Sequence, residues 1–350
     1  MNELTPSRRD TGIDAVKAAA ICCVVLLHTS TGGLVTTFGS FAWCASLFWG
    51  CAVRAAVPLF LLCSGALLLP QGKELSLRKL WGKNILKIVV AMLVWAMFYK
   101  VLSLAGSGTL SAAALWQALK EVLVFNQEFH LYYLHIILLV YAFLPLTRVL
   151  VRHASEAEKR YGLIVWFALG IVFPTLLPYW PFRLLTDIPR QWMMNMSFAA
   201  IGYGVLGLRL TRRPLPLRLA RLFSLAGFAL VFGPTLWASL RSGVLEEHYL
   251  EGMSVGVCLL AAGLFSLLYR AGQGLREGRF RTLVTALSRA SFCIYLVHVL
   301  WLYVLRDLGL TAARFAPLVS IPLLALCNRA VSFLCWFLLS KIPVVNKWLI

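Results

Sequence analysis

Charged residues are scarce in this sequence. Only 13% of its 350 residues are Asp, Glu, Lys or Arg, about half of the roughly 25% found in soluble globular chains. Acidic residues are the scarcer kind, 14 against 33 basic ones. This composition argues against an ordinary soluble enzyme. Hydrophobic residues make up 60% of the chain and the mean hydropathy is +0.81, which predicts an all-α, polytopic bundle of transmembrane helices.

The cysteine patterns of a metal site are also missing. The nine cysteines include no C-x-x-C pair, and none stands at zinc-ligand spacing from a histidine. Most of them fall in apolar stretches, where cysteine is usually a small buried hydrophobic side chain. We therefore predict no bound metal.

Apolar stretches long enough to span a membrane recur along the whole chain. A transmembrane helix needs ~20 mostly apolar residues. The sequence predicts ten such spans, at about 13–31, 47–69, 84–105, 130–150, 161–178, 191–208, 217–240, 250–269, 288–305 and 315–340. Their connections are too short for a soluble domain, so residues 1–350 are predicted to form a single integral membrane domain.

The basic residues are divided unevenly between the two sides of this bundle. Of the 33, 22 fall on the side that holds both chain ends, 6 on the opposite side and 5 within spans. Because Lys and Arg collect in cytoplasmic loops, both termini are predicted to be cytoplasmic. Topology and anionic lipid then explain the net charge of +19, and no nucleic-acid partner is expected. The longest outer connection, 106–129, is predicted to contain an amphipathic helix at 112–124.

The first span contains ionisable residues, which are costly at membrane depth and mark functional positions. Lys17 and His28 are eleven residues apart, which places them on nearly the same helix face, ~16 Å apart along the axis. Asp14 precedes Lys17 by three residues and is expected to pair with it. The alternative is that Lys17 extends to lipid headgroups and that His28 is a packed core histidine.

Further ionisable residues lie in later spans. Arg54 is predicted about two turns into the second span, near the depth of His28, where its permanent charge requires a partner or an anionic ligand. His298 lies about halfway through the ninth span, Arg329 near the centre of the tenth, and His130 at the outer end of the fourth. For His298 a purely structural role is the alternative.

Residues 202–207 match the pattern G-x-G-x-x-G, which binds nucleotides when it follows a strand. Here the pattern lies inside a predicted membrane helix. Close helix packing through small residues is therefore the better interpretation.

Several segments together resemble the acyltransferase-3 family of membrane O-acyltransferases. Lys17 and His28 fit its opening motif, a basic residue followed by ten residues and a histidine. The other similar segments, in the order that the family has them, are RAAVPLFLLCSG at 54–65, HLYYL at 130–134, GYGVLG at 202–207 and SFCIYLVH at 291–298. The chain looks closest to the branch that includes the O-acetyltransferase of enterobacterial common antigen.

Two positions depart from the family pattern. Lys17 stands where the family usually has Arg, so a point charge replaces a planar fork of donors. Tyr132 stands where Trp is usual.

The resemblance implies an O-acyltransferase that moves an acyl group, most commonly acetyl, from cytoplasmic acetyl-CoA to a hydroxyl of a cell-surface glycan or lipid-linked saccharide. His28 would be the general base on that hydroxyl. Arg54 would stabilise the developing oxyanion or orient His28, and Asp14 is counted with these catalytic candidates. Lys17, Arg78 and Lys79 would bind the phosphates of CoA. A second tier of candidates consists of His130, His298, Arg329 and Ser64.

The resemblance also implies a multi-pass protein of the bacterial cytoplasmic membrane. Membrane lipids are expected partners, and an oligomer is compatible with the resemblance. A transporter or substrate-binding protein of the same fold remains the rival interpretation, because membrane-embedded His and Arg also suit a proton-coupled carrier.

Overall fold

The computed structural model describes residues 9–70, 75–314 and 316–350 of the chain. These residues form helices and contain no strand, so the predicted all-α class is confirmed. Arg8 and Lys73, counted among the 22 basic residues, and Phe315, where the last predicted span begins, lie outside the described residues.

The α-helices of the described residues are α1 Thr11–Thr31, α2 Phe41–Ala52, α3 Ala56–Leu68, α4 Leu77–Lys79, α5 Leu86–Gly106, α6 Ala112–Leu123, α7 Tyr132–His153, α8 Glu156–Phe167, α9 Phe173–Leu176, α10 Ile188–Gln191, α11 Met196–Arg212, α12 Leu217–Ser242, α13 Val255–Gln273, α14 Arg279–Asp307, α15 Pro317–Leu339 and α16 Pro343–Trp348. Short π-helical or 3₁₀ turns extend or join them at Leu80–Ile85, Phe129–Leu131, Ala168–Val172, Phe182–Leu184 and His248–Leu250.

Nine helices of the described chain are long and apolar enough to cross a membrane. They correspond to nine of the ten predicted spans. The other span, predicted at 191–208, is α11, which starts later because the Asn195 side chain caps it by accepting a hydrogen bond from the Phe198 N–H. Its 17 residues rise about 26 Å, slightly less than the ~30 Å of a hydrocarbon core.

The positions of the two ends of the chain bear on the number of crossings. Lys17, near the start of α1, and Ile350, the last residue, line the same cavity. Only an even number of crossings brings both residues to one end of the bundle. We therefore count α11 as the tenth crossing. The assignment of that end to the cytoplasm stays a prediction from the basic residues.

The centre of the bundle is built from α1, the span that contains α2 and α3, α13 and α14. In their most apolar stretches 50%, 61%, 61% and 56% of the residues are buried, against 22% in the helix Leu77–Gly106. The start of α1 is fixed by Asp10, whose carboxylate accepts hydrogen bonds from the Gly12 N–H and from the Gln273 side chain of α13. This cap attaches α1 to α13 at one end of the bundle.

Glycine allows α3 and α11 to pack with their backbones in contact. A side chain added at Gly65 would collide with the Gly204 carbonyl, and one added at Gly207 would collide with the Leu62 carbonyl. The G-x-G-x-x-G pattern therefore serves helix packing, and the interpretation made from the sequence is confirmed. The interface holds α3, and with it one wall of the candidate site.

The second span differs from its prediction in start and continuity. It covers Phe41–Leu68 and is interrupted between α2 and α3 at residues 53–55. The earlier start follows from Ser40, whose hydroxyl caps α2 by accepting from the Trp43 N–H. Arg54 lies in the interruption, so the expected position inside a continuous helix is wrong. The predicted helix at 112–124 is confirmed as α6.

Candidate active site

Helix α1 connects two cavities. Lys17, in its second turn, lines one of them, and His28, in its last turn, lines the other. Their eleven-residue separation corresponds to ~16 Å along the helix. We name these spaces the Lys17 cavity and the His28 cavity.

The Lys17 cavity has a volume of about 400 Å³. Three of its lining side chains are cationic, Lys17, Lys87 and Arg289, and its described lining includes no Asp or Glu. Asn84 and Ser64 add uncharged hydrogen-bonding groups. Lys87 Nζ also donates a hydrogen bond to a main-chain oxygen of Ile350 at 2.5 Å. Three cations with no acidic side chain among the described lining residues favour a ligand with several negative charges, such as a polyphosphate.

The His28 cavity has a volume of about 370 Å³ and a different composition. Its lining combines His28 and His130 with one permanent cation, Arg54, and one carboxylate, Glu251. Aromatic side chains, among them Tyr132, complete the wall. Balanced charge with many hydrogen-bonding groups suits a neutral ligand that carries hydroxyls.

His28 belongs to a cluster of three histidines from three different elements. The ring centroids of His28 and His298 are 5.1 Å apart, and those of His130 and His298 are 5.4 Å apart. His130 and His298 are buried, whereas His28 is partly exposed. His28 is therefore the imidazole of this cluster that a ligand in the cavity reaches most easily.

His298 is held in one tautomer by α14 itself. Its Nδ1 lies 2.7 Å from the Tyr295 carbonyl oxygen and 3.2 Å from that of Ile294. Carbonyl oxygens only accept, so Nδ1 carries the proton and Nε2 has a free lone pair. Among the described residues this Nε2 has no hydrogen-bond partner, and neither ring nitrogen of His130 has one. An acceptor is thus available in the ring beside His28.

The part of α14 that carries these groups is fixed from two sides. The Tyr99 hydroxyl of α5 donates to the Leu296 carbonyl at 2.7 Å, and the Asn328 side chain of α15 donates to the His298 carbonyl at 2.9 Å. Satisfied buried hydrogen bonds of this kind give side chains a unique position. No group of three or more His, Cys, Asp or Glu within the described chain is arranged to hold a metal ion.

Arg54 brings a fixed positive charge to the His28 cavity. Its Nε donates to the Leu250 carbonyl at 2.5 Å, which anchors the side chain that lines the cavity. A preorganised guanidinium beside a reacting carbonyl can stabilise the negative charge that develops on its oxygen.

The two cavities meet at a single pair of side chains. Tyr133 of α7 and Tyr295 of α14 line both cavities, and no other described residue does so. Their ring centroids are 5.6 Å apart, with an angle of 71° between the planes.

The model of one protein family, described as an acyltransferase domain, matches residues 10–340 of this chain. The chain belongs to this acyltransferase family. The match includes both Lys17 and His28, and it supports acyltransferase activity in a multi-pass membrane protein. A search of the curated proteins and a search of the solved structures each found no match.

In this acyltransferase Asp14 does not pair with Lys17, so that expectation is wrong. Its carboxylate bonds to Arg9, whose Nε and Nη2 lie 2.5 and 2.8 Å from the two oxygens, and it accepts from the Ser288 hydroxyl at 2.6 Å. The guanidinium offers two donors with the spacing of a carboxylate. Asp14 thereby links the start of α1 to α14, ~21 Å along α1 from His28.

The other predicted residues are placed as follows. Arg78 and Lys79 are exposed on α4 and do not line the Lys17 cavity. Ser64 lines it, with its hydroxyl donating to the Phe60 carbonyl at 2.9 Å. Arg329 lines neither cavity; its Nη1 lies 2.9 Å from the Cys22 sulfur of α1.

Sequence reasoning missed Lys87 and Arg289 as partners of Lys17. Lys87 stands inside an apolar span, the same signal that identified Lys17. Arg289 stands at the edge of the ninth predicted span and is counted there with the basic residues of the side that holds both chain ends. Because α14 begins at Arg279, Arg289 lies about three turns inside the helix, where it lines the cavity.

Proposed function

We propose that this protein transfers an acetyl group from acetyl-CoA in the Lys17 cavity to a saccharide hydroxyl in the His28 cavity. The observation that carries the proposal is that one helix of an acyltransferase-family chain connects a cavity whose charged side chains in the described lining are all cationic to a cavity with an accessible histidine. The donor and the acceptor would then approach the reacting centre from opposite ends of the bundle.

The donor side follows from charge. The phosphates of CoA match the Lys17, Lys87 and Arg289 side chains, because ammonium and guanidinium groups bind phosphate through charge-assisted hydrogen bonds. CoA is made in the cytoplasm, which agrees with the end of the bundle that the basic residues assign to that compartment. The long thiol arm would extend along α1, with its acetyl thioester directed towards Tyr133 and Tyr295.

The chemical step needs a base, and His28 is the accessible one. Its imidazole takes the proton of the acceptor hydroxyl, and the hydroxyl oxygen attacks the thioester carbonyl carbon. The resulting tetrahedral intermediate loses the CoA thiolate as the C–S bond breaks, and the thiolate takes the proton back from His28. The products are the O-acetyl ester and CoA with a free thiol, so that atoms and charge balance.

Neighbouring residues support this step. Arg54 faces the cavity at a fixed position and would stabilise the oxyanion of the intermediate. The Nε2 lone pair of His298 would accept a hydrogen bond from protonated His28, since the two rings are adjacent. His130, the third member of the cluster, is buried in the wall of the same cavity beside His298.

The acceptor we propose is a cell-surface glycan or a lipid-linked saccharide at the outer leaflet of the bacterial cytoplasmic membrane. The hydroxyl-compatible lining of the His28 cavity and the predicted topology support this choice. Enterobacterial common antigen is the acceptor to test first, because the sequence looks closest to that branch.

The test is transfer of radiolabelled acetyl from acetyl-CoA in membrane vesicles that contain the wild-type protein or His28→Gln. We expect labelled saccharide with wild type and a loss of label by a factor of about 10²–10⁴ in the variant. Comparing saccharide masses from deletion and wild-type strains would identify the acceptor by its acetyl increment. Equal label from the two proteins would refute the role of His28.

The same vesicles address the transporter alternative. A carrier would also have cavities at both ends of the bundle. If label never leaves CoA with any saccharide extract while solute uptake depends on the protein, transport is the function and the proposal above is wrong.

A further inference from the structure

Tyr133 and Tyr295 are the only described residues that line both cavities, and we call this pair their junction. The rings meet edge to face, an arrangement in which aromatic side chains are in van der Waals contact. On the side of the Lys17 cavity the Phe60 ring lies 6.1 Å from the Tyr133 ring. A ligand group in the Lys17 cavity therefore meets aromatic side chains before it reaches the His28 cavity.

The two tyrosines differ in burial and in the partner of their hydroxyl groups. Tyr295 is buried, and its hydroxyl donates a hydrogen bond to the His130 carbonyl. Tyr133 is only partly buried, and its hydroxyl lies near that of Ser64 on the side of the Lys17 cavity. A rotation of the Tyr133 side chain would open the junction without breaking the bond that holds Tyr295.

We propose that Tyr133 and Tyr295 form a barrier that determines whether the acyl group is transferred to the acceptor or lost to water. This inference rests on the proposed function, since it assigns the donor to one cavity and the acceptor to the other. Tyr133 is the movable half of the barrier and Tyr295 the fixed half. While the rings are in contact, a thioester in the Lys17 cavity is separated from His28 and from the water of the acceptor cavity.

The side reaction that the barrier suppresses is hydrolysis of the thioester. Water replaces the saccharide hydroxyl: its oxygen attacks the thioester carbonyl, the C–S bond breaks, and His28 passes the proton of water to the CoA thiolate. The products are acetate, CoA and a proton. His28 activates water as readily as it activates an alcohol, so discrimination against water requires that the thioester reach His28 only when the junction opens.

The first test measures the barrier without using catalysis. Val57 of α3 is partly exposed and lines the His28 cavity. In Val57→Cys, a charged thiol reagent that cannot cross membranes is added from the side of the Lys17 cavity, and labelling at position 57 is read by mass spectrometry. With Tyr133→Ala in the same chain we expect labelling at least roughly 10-fold faster, because the barrier is removed.

Two matched variants separate the barrier from general loosening. Tyr133→Phe keeps the ring and should label at the slow rate. Tyr141→Ala removes a tyrosine of the same helix that lines only the Lys17 cavity, and it should also label slowly. If Tyr133→Ala does not fold, Tyr133→Leu takes its place. The proposal would be overturned if the variant that lacks the Tyr133 ring were labelled at the wild-type rate. It would also be overturned if Tyr141→Ala increased the labelling rate equally.

The second test measures hydrolysis of acetyl-CoA without an acceptor. In lipid vesicles the purified wild-type protein should release CoA slowly. The Tyr133→Ala variant should release it at least roughly 10-fold faster. If Tyr133→Ala is labelled faster but neither the wild type nor any variant transfers an acyl group, the barrier inference stands and the proposed function is refuted. Transfer by the wild type with no effect of Tyr133→Ala on labelling or hydrolysis would refute the barrier alone.

Discussion

The Lys17 cavity and the His28 cavity are similar in volume and unlike in chemistry. The first has three cationic side chains and no acidic side chain in its described lining, and the second has two imidazoles with one cationic and one acidic side chain. Both are lined by α1, α3, α7 and α14. The same helices therefore present different residue types at their two ends.

This difference separates two tasks. Binding a polyanion needs positive charge, which Arg keeps permanently and protonated Lys supplies. Proton transfer needs a group that gains and loses a proton near neutral pH, which is the property of histidine. Changing a cationic residue of the Lys17 cavity should therefore alter the affinity for the donor. Changing a histidine of the His28 cavity should alter the rate of the chemical step.

The largest effect is expected for His28→Gln. It removes the proposed base and keeps the approximate size and polarity of the side chain, so kcat should fall by about 10²–10⁴. The KM for acetyl-CoA should stay close to that of wild type, because the Lys17 cavity is unchanged. Steady-state kinetics with purified protein in lipid vesicles would show this. A large rise in that KM with little loss of kcat would contradict the division of tasks.

A smaller effect, mainly on the KM for acetyl-CoA, is expected for Lys17→Gln. Loss of one charge-assisted contact to phosphate should raise the KM for acetyl-CoA by roughly 10- to 100-fold with a modest change in kcat. Lys17→Arg, which restores the residue that the family usually has, should keep most of the affinity. Direct binding of CoA provides a second measurement. Equal binding by Lys17→Gln and wild type would show that Lys87 and Arg289 suffice.

The scaffold that both cavities share can be tested through Gly207→Ala. The added methyl group would collide with the Leu62 carbonyl of α3, and overpacking of this kind costs about 1–3 kcal/mol. The midpoint of thermal unfolding in detergent should fall. The matched control is Gly233→Ala in α12, where no atom lies within 4 Å of the added group, and this variant should be as stable as wild type. Similar losses for both variants would argue against the close α3–α11 contact.

The smallest effect concerns a pair that lines neither cavity. Lys100 Nζ lies 2.5 Å from Glu121 on α6, and this hydrogen bond lowers the pKa of the Glu121 carboxyl. A carboxyl whose pKa is lowered by folding stabilises the folded state above its unfolded value, ~4.3, and this stabilisation disappears as the pH falls through the folded value. The stability difference between wild type and Glu121→Gln should be present at pH 7 and should decrease as the pH falls below ~4.3 and through the folded value. A difference independent of pH would show that packing, not charge, is responsible.

The sequence predicted much of this architecture because its signals are local. Apolar stretches gave the spans, and the eleven-residue spacing of Lys17 and His28 placed them on one helix face. Local patterns were less reliable where a cap or an interruption decided the outcome. Ser40 starts the second span six residues before the predicted start at 47, and Asn195 starts α11 five residues after the predicted start at 191.

By itself the sequence therefore determined the membrane bundle, the family motifs and the two candidate residues of α1, since each depends on local residue spacing. Only the tertiary structure decided which residues lie beside Lys17, Asp14 and His28. Lys87 and Arg289 meet Lys17 across three helices, Arg9 takes the place beside Asp14, and His298 comes to lie beside His28. The junction of Tyr133 with Tyr295 likewise involves α7 and α14, which are far apart in the chain. Such contacts depend on how the helices pack, and no periodicity within a single helix encodes them.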